Sequence, residues 1–201
     1  MKAKGVIHFN AEDHRYTIDG IKVDSVTQIL QNVGIIDFSH VSKERLEAAA
    51  TFGTYVHLCT ELCDKNDLDY DTLDPKLLPY VEAWIKFKVQ CNFEIELIEQ
   101  RICSTKYMYA GTIDRVGILN GKDRVILDIK SGSSMSDSTA IQTGGYMIAY
   151  NETFPKVKAK SRLGVLLKPD GNFKLYQYTD KTDCSIFLAS LTLNNYLRRK
   201  K

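Results

Sequence analysis

Asp114, Asp128 and Lys130 are the residues of this chain whose types and spacing could do chemistry together. Asp128 and Lys130 lie two apart in a run whose apolar members, Val125, Ile126, Leu127 and Ile129, mark a strand buried near its middle, so both side chains leave the same face. Asp114 stands 14 residues before Asp128, across Asn120-Gly121, a strong hairpin-turn signal. That separation is compatible with cross-strand proximity, and it leaves the register open. A buried carboxylate or ammonium is costly unless it is paired or binds a metal. Two carboxylates and a lysine converging at the end of a hairpin form a hard-oxygen site suited to magnesium, which takes one or two carboxylates and keeps water and phosphate as its other ligands. Such an ion polarises a phosphoryl oxygen and lowers the pKa of an attacking water. A lysine beside it can orient or deprotonate that water, or screen charge growing on the phosphate. The chemistry would be phosphodiester hydrolysis. A lone Asp-x-Lys is common in any sequence and by itself means only a structural ion pair, so the surrounding residues decide.

The elements that must position these residues follow from hydrophobic period. Val6 to Phe9 and Arg15 to Ile18 alternate apolar and polar residues, and Asp19-Gly20 signals a turn before Ile21 to Val23, which together predict an N-terminal β-hairpin. Ser25 and Gln28 have capping-box spacing, so a short helix should run to about Leu30. Leu46, Ala49, Ala50, Gly53, Val56, Cys59 and Cys63 form a helical stripe over 43–63, followed by an acidic, loop-like stretch over 64–74. A second amphipathic helix, with Leu77, Leu78, Val81, Trp84 and Ile85, is expected after Pro75. The period then changes to that of strands over 93–102, 109–119 and 124–130. A Gly/Ser loop over 131–137 leads into a helix over about 137–150, two further strands over 162–167 and 173–178, and a closing helix. This order predicts an α/β fold with a mixed β-sheet flanked by helices.

At 201 residues, 44% apolar and 26% charged, the chain is expected to be one domain: 1–40 as an N-terminal hairpin and helix lead-in, 41–201 as the core. No apolar run is long enough to span a membrane, and the N-terminus has the character of neither a secretory signal nor a transit peptide. Five cysteines at positions 59, 63, 91, 103 and 184 read as reduced thiols, which suits a cytoplasmic protein. A net charge of +2 announces no nucleic-acid partner, although positive charge could still be concentrated in one groove.

Four motifs in order give the sequence a resemblance to the PD-(D/E)xK nuclease superfamily, in particular its RecB-like exonuclease branch, with phage exonucleases and mitochondrial genome maintenance exonucleases among its members. They are Gly53-Thr54-Tyr55-Val56-His57, Gly111-Thr112-Ile113-Asp114-Arg115, Asp128-Ile129-Lys130-Ser131-Gly132 and Gln142-Thr143-Gly144-Gly145-Tyr146. His14-Arg15-Tyr16 and the segment from Ser25 to Leu30 are similar to the lead-in of the same members, so the likeness spans nearly the whole chain. It implies a restriction-endonuclease-like core and a Mg2+- or Mn2+-dependent deoxyribonuclease that degrades DNA from an end, in recombination, repair or phage DNA processing. Asp114 and Asp128 would be metal ligands together with the backbone carbonyl of Ile129, Lys130 the catalytic lysine, and His57 a contact to the metal or the scissile phosphate. Gln142 and Tyr146, four apart on one helix face, would contact the DNA backbone and support the metal shell, with Ile141, Gly144 and Ile148 on the opposite, packed face.

Each assignment has a plainer counterpart. His57 and Tyr146 could be core residues, Glu61 a further ligand or an exposed helix glutamate, and Glu99 a ligand or a solvated strand residue. One branch of the family holds an iron–sulfur cluster on four cysteines, three of them near the C-terminus. Only Cys184 lies beyond position 103 here, so no cluster is expected. Lys156, Lys158, Lys160, Arg162 and the terminal Arg198 to Lys201 could supply a basic surface, and Tyr107 and Tyr109 could stack on unpaired bases. The partner would be linear DNA, single-stranded or with a single-stranded end, and a recombination protein could join it. A prokaryotic or phage-encoded chain fits better than an organellar one. The alternatives are a catalytically silent DNA-binding module of the same fold and a structure-dependent endonuclease.

Overall fold

The computed structural model describes residues 5–200; the expectations that fell on residues 1–4 and on Lys201 lie outside these. Strands β1 (Ile7–Asn10), β2 (Arg15–Ile18) and β3 (Ile21–Val23) form an antiparallel sheet, the expected hairpin extended by one strand. Asp19 and Gly20 turn β2 into β3 with φ of 50° and 79°, left-handed values that a tight hairpin needs. Helix α1 (Val26–Asn32) starts at the expected capping box. Ser25 Oγ accepts from the Gln28 amide at 3.1 Å, and Gln28 Oε1 accepts from the Ser25 amide at 2.9 Å.

Helix α2 (Lys43–Asp64) follows the apolar stripe and includes Asp64, which the sequence pattern places at the start of the loop. Helix α3 (Leu78–Gln90) begins later than expected. The Leu77 amide donates to the Asp74 carbonyl at 2.8 Å, so residues 75–77 form a turn, and Pro79 takes the first helical turn, where its missing N–H is not needed.

The main sheet contains β4 (Phe93–Ser104), β5 (Tyr109–Leu119), β6 (Asp123–Lys130), β7 (Ser161–Leu167) and β8 (Phe173–Tyr178), in that spatial order. All neighbours are antiparallel except β6 and β7, whose parallel pairing is bridged by helix α4 (Ser138–Thr153). Helix α5 (Thr182–Arg198) closes the chain. Asn120 and Gly121, at φ 53° and 66°, make the expected tight turn between β5 and β6.

Period-2 alternation on β6 sorts its side chains between two cores. Val125, Leu127 and Ile129 pack with Trp84 and Phe87 of α3, Phe93 of β4 and Leu163, Val165 and Leu167 of β7. Ile126 packs on the other side with Tyr146, Ala149 and Tyr150 of α4, Phe187 of α5 and Val26 and Ile29 of α1. Each such side chain contributes about 1.5–3 kcal/mol on burial. Helices cover both faces, which is why the β6 sequence is almost continuously apolar. The result is the expected mixed sheet flanked by helices, behind an N-terminal antiparallel sheet. Among the described residues no helix is long and apolar enough to cross a membrane.

Candidate metal centre

Pairing of β5 with β6 runs from Leu119↔Asp123 back to Arg115↔Leu127 and stops there. One step further, the register would set Asp114 opposite Asp128. Instead β6 continues with β7, from Asp128↔Gly164 to Lys130↔Leu166, while β5 continues with β4 as far as Ser104↔Tyr109. The sheet forks at the two aspartates. In place of the next ladder bond, the Ile129 amide donates to Asp114 Oδ2 at 2.6 Å. The acidic pair therefore lies at the open end of the hairpin, away from the Asn120-Gly121 turn. On the other side of β5, the pairs Ile98↔Arg115 and Gln100↔Ile113 bracket Glu99, which would face Asp114. Glu99 leaves the ladder with φ of 46°.

Helix α2 brings His57 to this point. A Cβ at Gly53, one turn earlier, would lie 3.8 Å from Ser131 Oγ, so the helix passes close over the end of β6. His57 Nδ1 is 3.7 Å from Asp114 Oδ1, and ligand atoms of His57, Glu99 and Asp114 all lie within 4.8 Å of one another. Glu61 is not in this group; its carboxylate pairs with Lys65 at 2.5 Å.

Asp128 and Lys130 are together as expected, with Nζ 2.8 Å from Asp128 Oδ2. That oxygen is buried, with the ammonium as its charge partner. Lys130 also donates to Gln142 Oε1 at 3.4 Å. Gln142 Nε2 donates to Tyr146 Oη at 3.0 Å and to Thr27 Oγ1 of α1 at 3.1 Å. Gln142 and Tyr146 do share a helix face, but it is the buried one, 7% and 6% exposed, against the sheet. Ile141 and Ile148 are half-buried and pack against the same hydrophobic cluster as Tyr146, and Gly144 packs on α5 next to Asp183 and Cys184. The polar ends of this pair are directed at Lys130 and at Thr27 of α1.

The electrostatics follow from burial and crowding. Burial and the neighbouring Asp114 charge push the Glu99 carboxyl up to about 7, against the pull of His57 and Arg115. Burial also raises Asp128, opposed by Lys130 and reinforced by Asp114. Lys130 is raised because the Asp128 and Asp114 charges outweigh the burial that opposes its ammonium. Burial raises Tyr146 too. Carboxylate oxygens dominate the donor set, and Asp128 adds a buried oxygen held against the Lys130 ammonium. These residues fit a hard divalent cation such as magnesium or manganese.

Sequence reasoning missed the residues behind this group. Arg115, fully buried, donates from Nε to Asp64 Oδ2 at 2.7 Å, and Asp64 also accepts from Trp84 Nε1 at 2.8 Å. The available signal was an arginine inside an apolar strand, which burial makes costly unless it is paired. Two expected partner-surface residues lie in the core instead. Arg162 is 2% exposed, bonds the carbonyls of Ala140 and Asp180 and pairs with Asp183 at 2.8 Å. Tyr109 is fully buried and donates to the Gly145 carbonyl at 2.8 Å, so it cannot stack on a base. Tyr107 is half-buried, with Lys106 over its ring. All five cysteines are free thiols.

No protein-family model matches the chain, and no curated protein matches its sequence. Among solved structures, the crystal structure of SSO0001 is 17% identical at a TM-score of 0.38, covering 60% of this chain; the chain spans 58% of that protein. An alkaline exonuclease from Laribacter hongkongensis is 13% identical at a TM-score of 0.35, covering 88% of this chain and 91% of the other. The same enzyme in complex with dAMP is 16% identical at a TM-score of 0.34, covering 89% and 92%.

Proposed function

We propose that this chain is a divalent-metal-dependent deoxyribonuclease that hydrolyses DNA from an end, with residues 41–201 as the nuclease core of one domain and 1–40 as its lead-in. One observation supports it above the others. Asp114 and Asp128 flank the fork of the sheet with Lys130 attached, while His57 and Glu99 converge on Asp114.

Asp114, Asp128, Glu99 and His57 would hold a Mg2+ or Mn2+ ion. The Ile129 carbonyl is a further candidate, because a strand residue directs its N–H and C=O to the same edge and the N–H points at Asp114. When bound, the ion supplies Lewis acidity toward a phosphoryl oxygen and an incoming water. Lys130 places a cation beside that point, where it can orient the water or screen charge growing on the phosphate. Gln142 ties Lys130 to Tyr146 and Thr27, so the ammonium is aimed from a fixed scaffold. Action from an end comes from the resemblance to RecB-like exonucleases, whereas the residues themselves account for phosphodiester cleavage alone.

The test is digestion of DNA labelled at each end in turn, as linear single strands, linear duplexes and closed circles, with magnesium, manganese or EDTA. Metal-dependent loss of label from linear substrates with intact circles is the expected result. Circles cut as readily as linear DNA would make the chain an endonuclease. No metal-dependent loss on any substrate would leave a DNA-binding module.

A further inference from the structure

Arg115 takes no part in the chemistry above, yet it is among the largest fully buried side chains of the molecule. Its guanidinium lies 5.5 Å from the centroid of the Trp84 ring, and Nη2 donates to Thr60 Oγ1 at 3.3 Å. Nε bonds Asp64, whose side chain is fully buried and which also takes Lys88 Nζ at 2.5 Å. The donors of a guanidinium form a rigid planar fork, so anchoring Nε on Asp64 fixes where Nη1 points. Nη1 donates to Glu99 Oε1 at 3.1 Å and to the backbone carbonyl of Asp114 at 2.7 Å. A structural ion pair would need only Asp64 and Arg115. The two further bonds reach the two carboxylate residues that meet His57, and one of these, Glu99, has a left-handed backbone that its surroundings must hold.

We propose that Arg115, anchored by Asp64, is a positioning residue that sets Glu99 and Asp114 in place to receive the cation. This inference rests on the metal-centre reading and extends it to residues outside the ligand set. Partners that orient ligands in this way are typically worth about 10–100-fold in metal affinity.

The test is Mn2+ binding to the full chain by titration calorimetry, for wild type, Arg115→Lys, Glu99→Ala and the double variant, with circular dichroism as the check on folding. A lysine can still pair with Asp64, but one ammonium cannot also reach Glu99 and the Asp114 carbonyl. Arg115→Lys should therefore weaken Mn2+ binding about tenfold or more. In the Glu99→Ala background the same change should cost about threefold or less, because part of what Arg115 positions is gone. Equal losses in both backgrounds, or an unchanged affinity in Arg115→Lys, would overturn the positioning role and leave the metal centre standing. Absence of Mn2+ binding by the wild type would overturn both. Should Arg115→Lys fail to fold, Asp64→Asn replaces it in the same cycle. That variant keeps the guanidinium and loosens its anchor, so a loss of about threefold or more, absent with Glu99→Ala, is expected.

Discussion

Ile129 and Asp114 are joined by an amide-to-carboxylate hydrogen bond of 2.6 Å between two strands that have ceased to pair. One carboxylate thus does two jobs. Its Oδ2 replaces a rung of the sheet, and its Oδ1 faces His57 at 3.7 Å.

Asp114→Asn separates these jobs, because an amide oxygen can still accept from Ile129 while the charge is lost. DNA cleavage should fall by about a thousandfold or more, since several kcal/mol of electrostatic stabilisation leaves with the ligand. Without metal, the melting temperature should stay level or rise, because Glu99 and Asp128 lose a like-charged neighbour. Retention of the wild-type rate would show that the site is misassigned.

Asp128→Ala and Lys130→Ala should both lose cleavage but differ in metal binding. Removing Asp128 takes away a ligand and should abolish Mn2+ uptake while the fold survives, since half-buried Lys130 can turn to water. Removing Lys130 should cost about two to four orders of magnitude in rate with Mn2+ still bound. Titration calorimetry on the two proteins distinguishes them, and failure of Lys130→Ala to bind would contradict the assigned role.

Arg162→Ala should act on stability and not on DNA. The guanidinium holds two carbonyls and Asp183 in a buried setting, so its removal should cost about 3–5 kcal/mol in urea unfolding. The salt dependence of DNA binding should keep its slope, because Arg162 reaches no surface.

Glu152 gives a pH signature remote from the site. Burial opposes its ionisation, but hydrogen bonds from Ser104 Oγ, Thr105 Oγ1 and the Lys106 amide hold the carboxyl below its usual range. A carboxyl lowered on folding contributes stability above its unfolded pKa and loses it as pH falls through the folded one. Glu152→Gln should therefore be less stable than wild type by about 1–3 kcal/mol at pH 7, with the gap closing below about pH 4. Denaturant titrations at several pH values check this, and a gap that widened in acid would refute it.

What could be read from the sequence was local. The Ser25 capping box, the Asn120-Gly121 turn and the shared face of Asp128 and Lys130 depend on residues a few positions apart. The fork lies where β5 and β6 part while each keeps its outer neighbour, β4 and β7, and those neighbours are remote in sequence, so no local pattern encodes it. Glu99 was open between ligand and solvated residue because its departure from the ladder exists only where β4 meets β5. Asp64 looked like a loop residue because its partner, Arg115, is remote in sequence. Spacing placed Gln142 and Tyr146 on one face of α4, but only the sheet beneath decides that this face is the covered one. Counting charge near Arg162 points to a surface, whereas β7 is covered on both faces and α4 and α5 enclose the side chain.

Beyond Arg115 and Leu127 the sheet is two ribbons separated by a seam, stitched by one carboxylate. Main-chain groups that a continuous ladder would pair with one another are met there by side chains, the Ile129 amide by Asp114 and the Asp114 carbonyl by Arg115. A variant selected only for a higher melting point could close it by extending the ladder past Asp114. Its added rigidity would arise where the ion and DNA strand of the proposed function would need room, so hardening this fold without inspecting the seam would favour inert proteins.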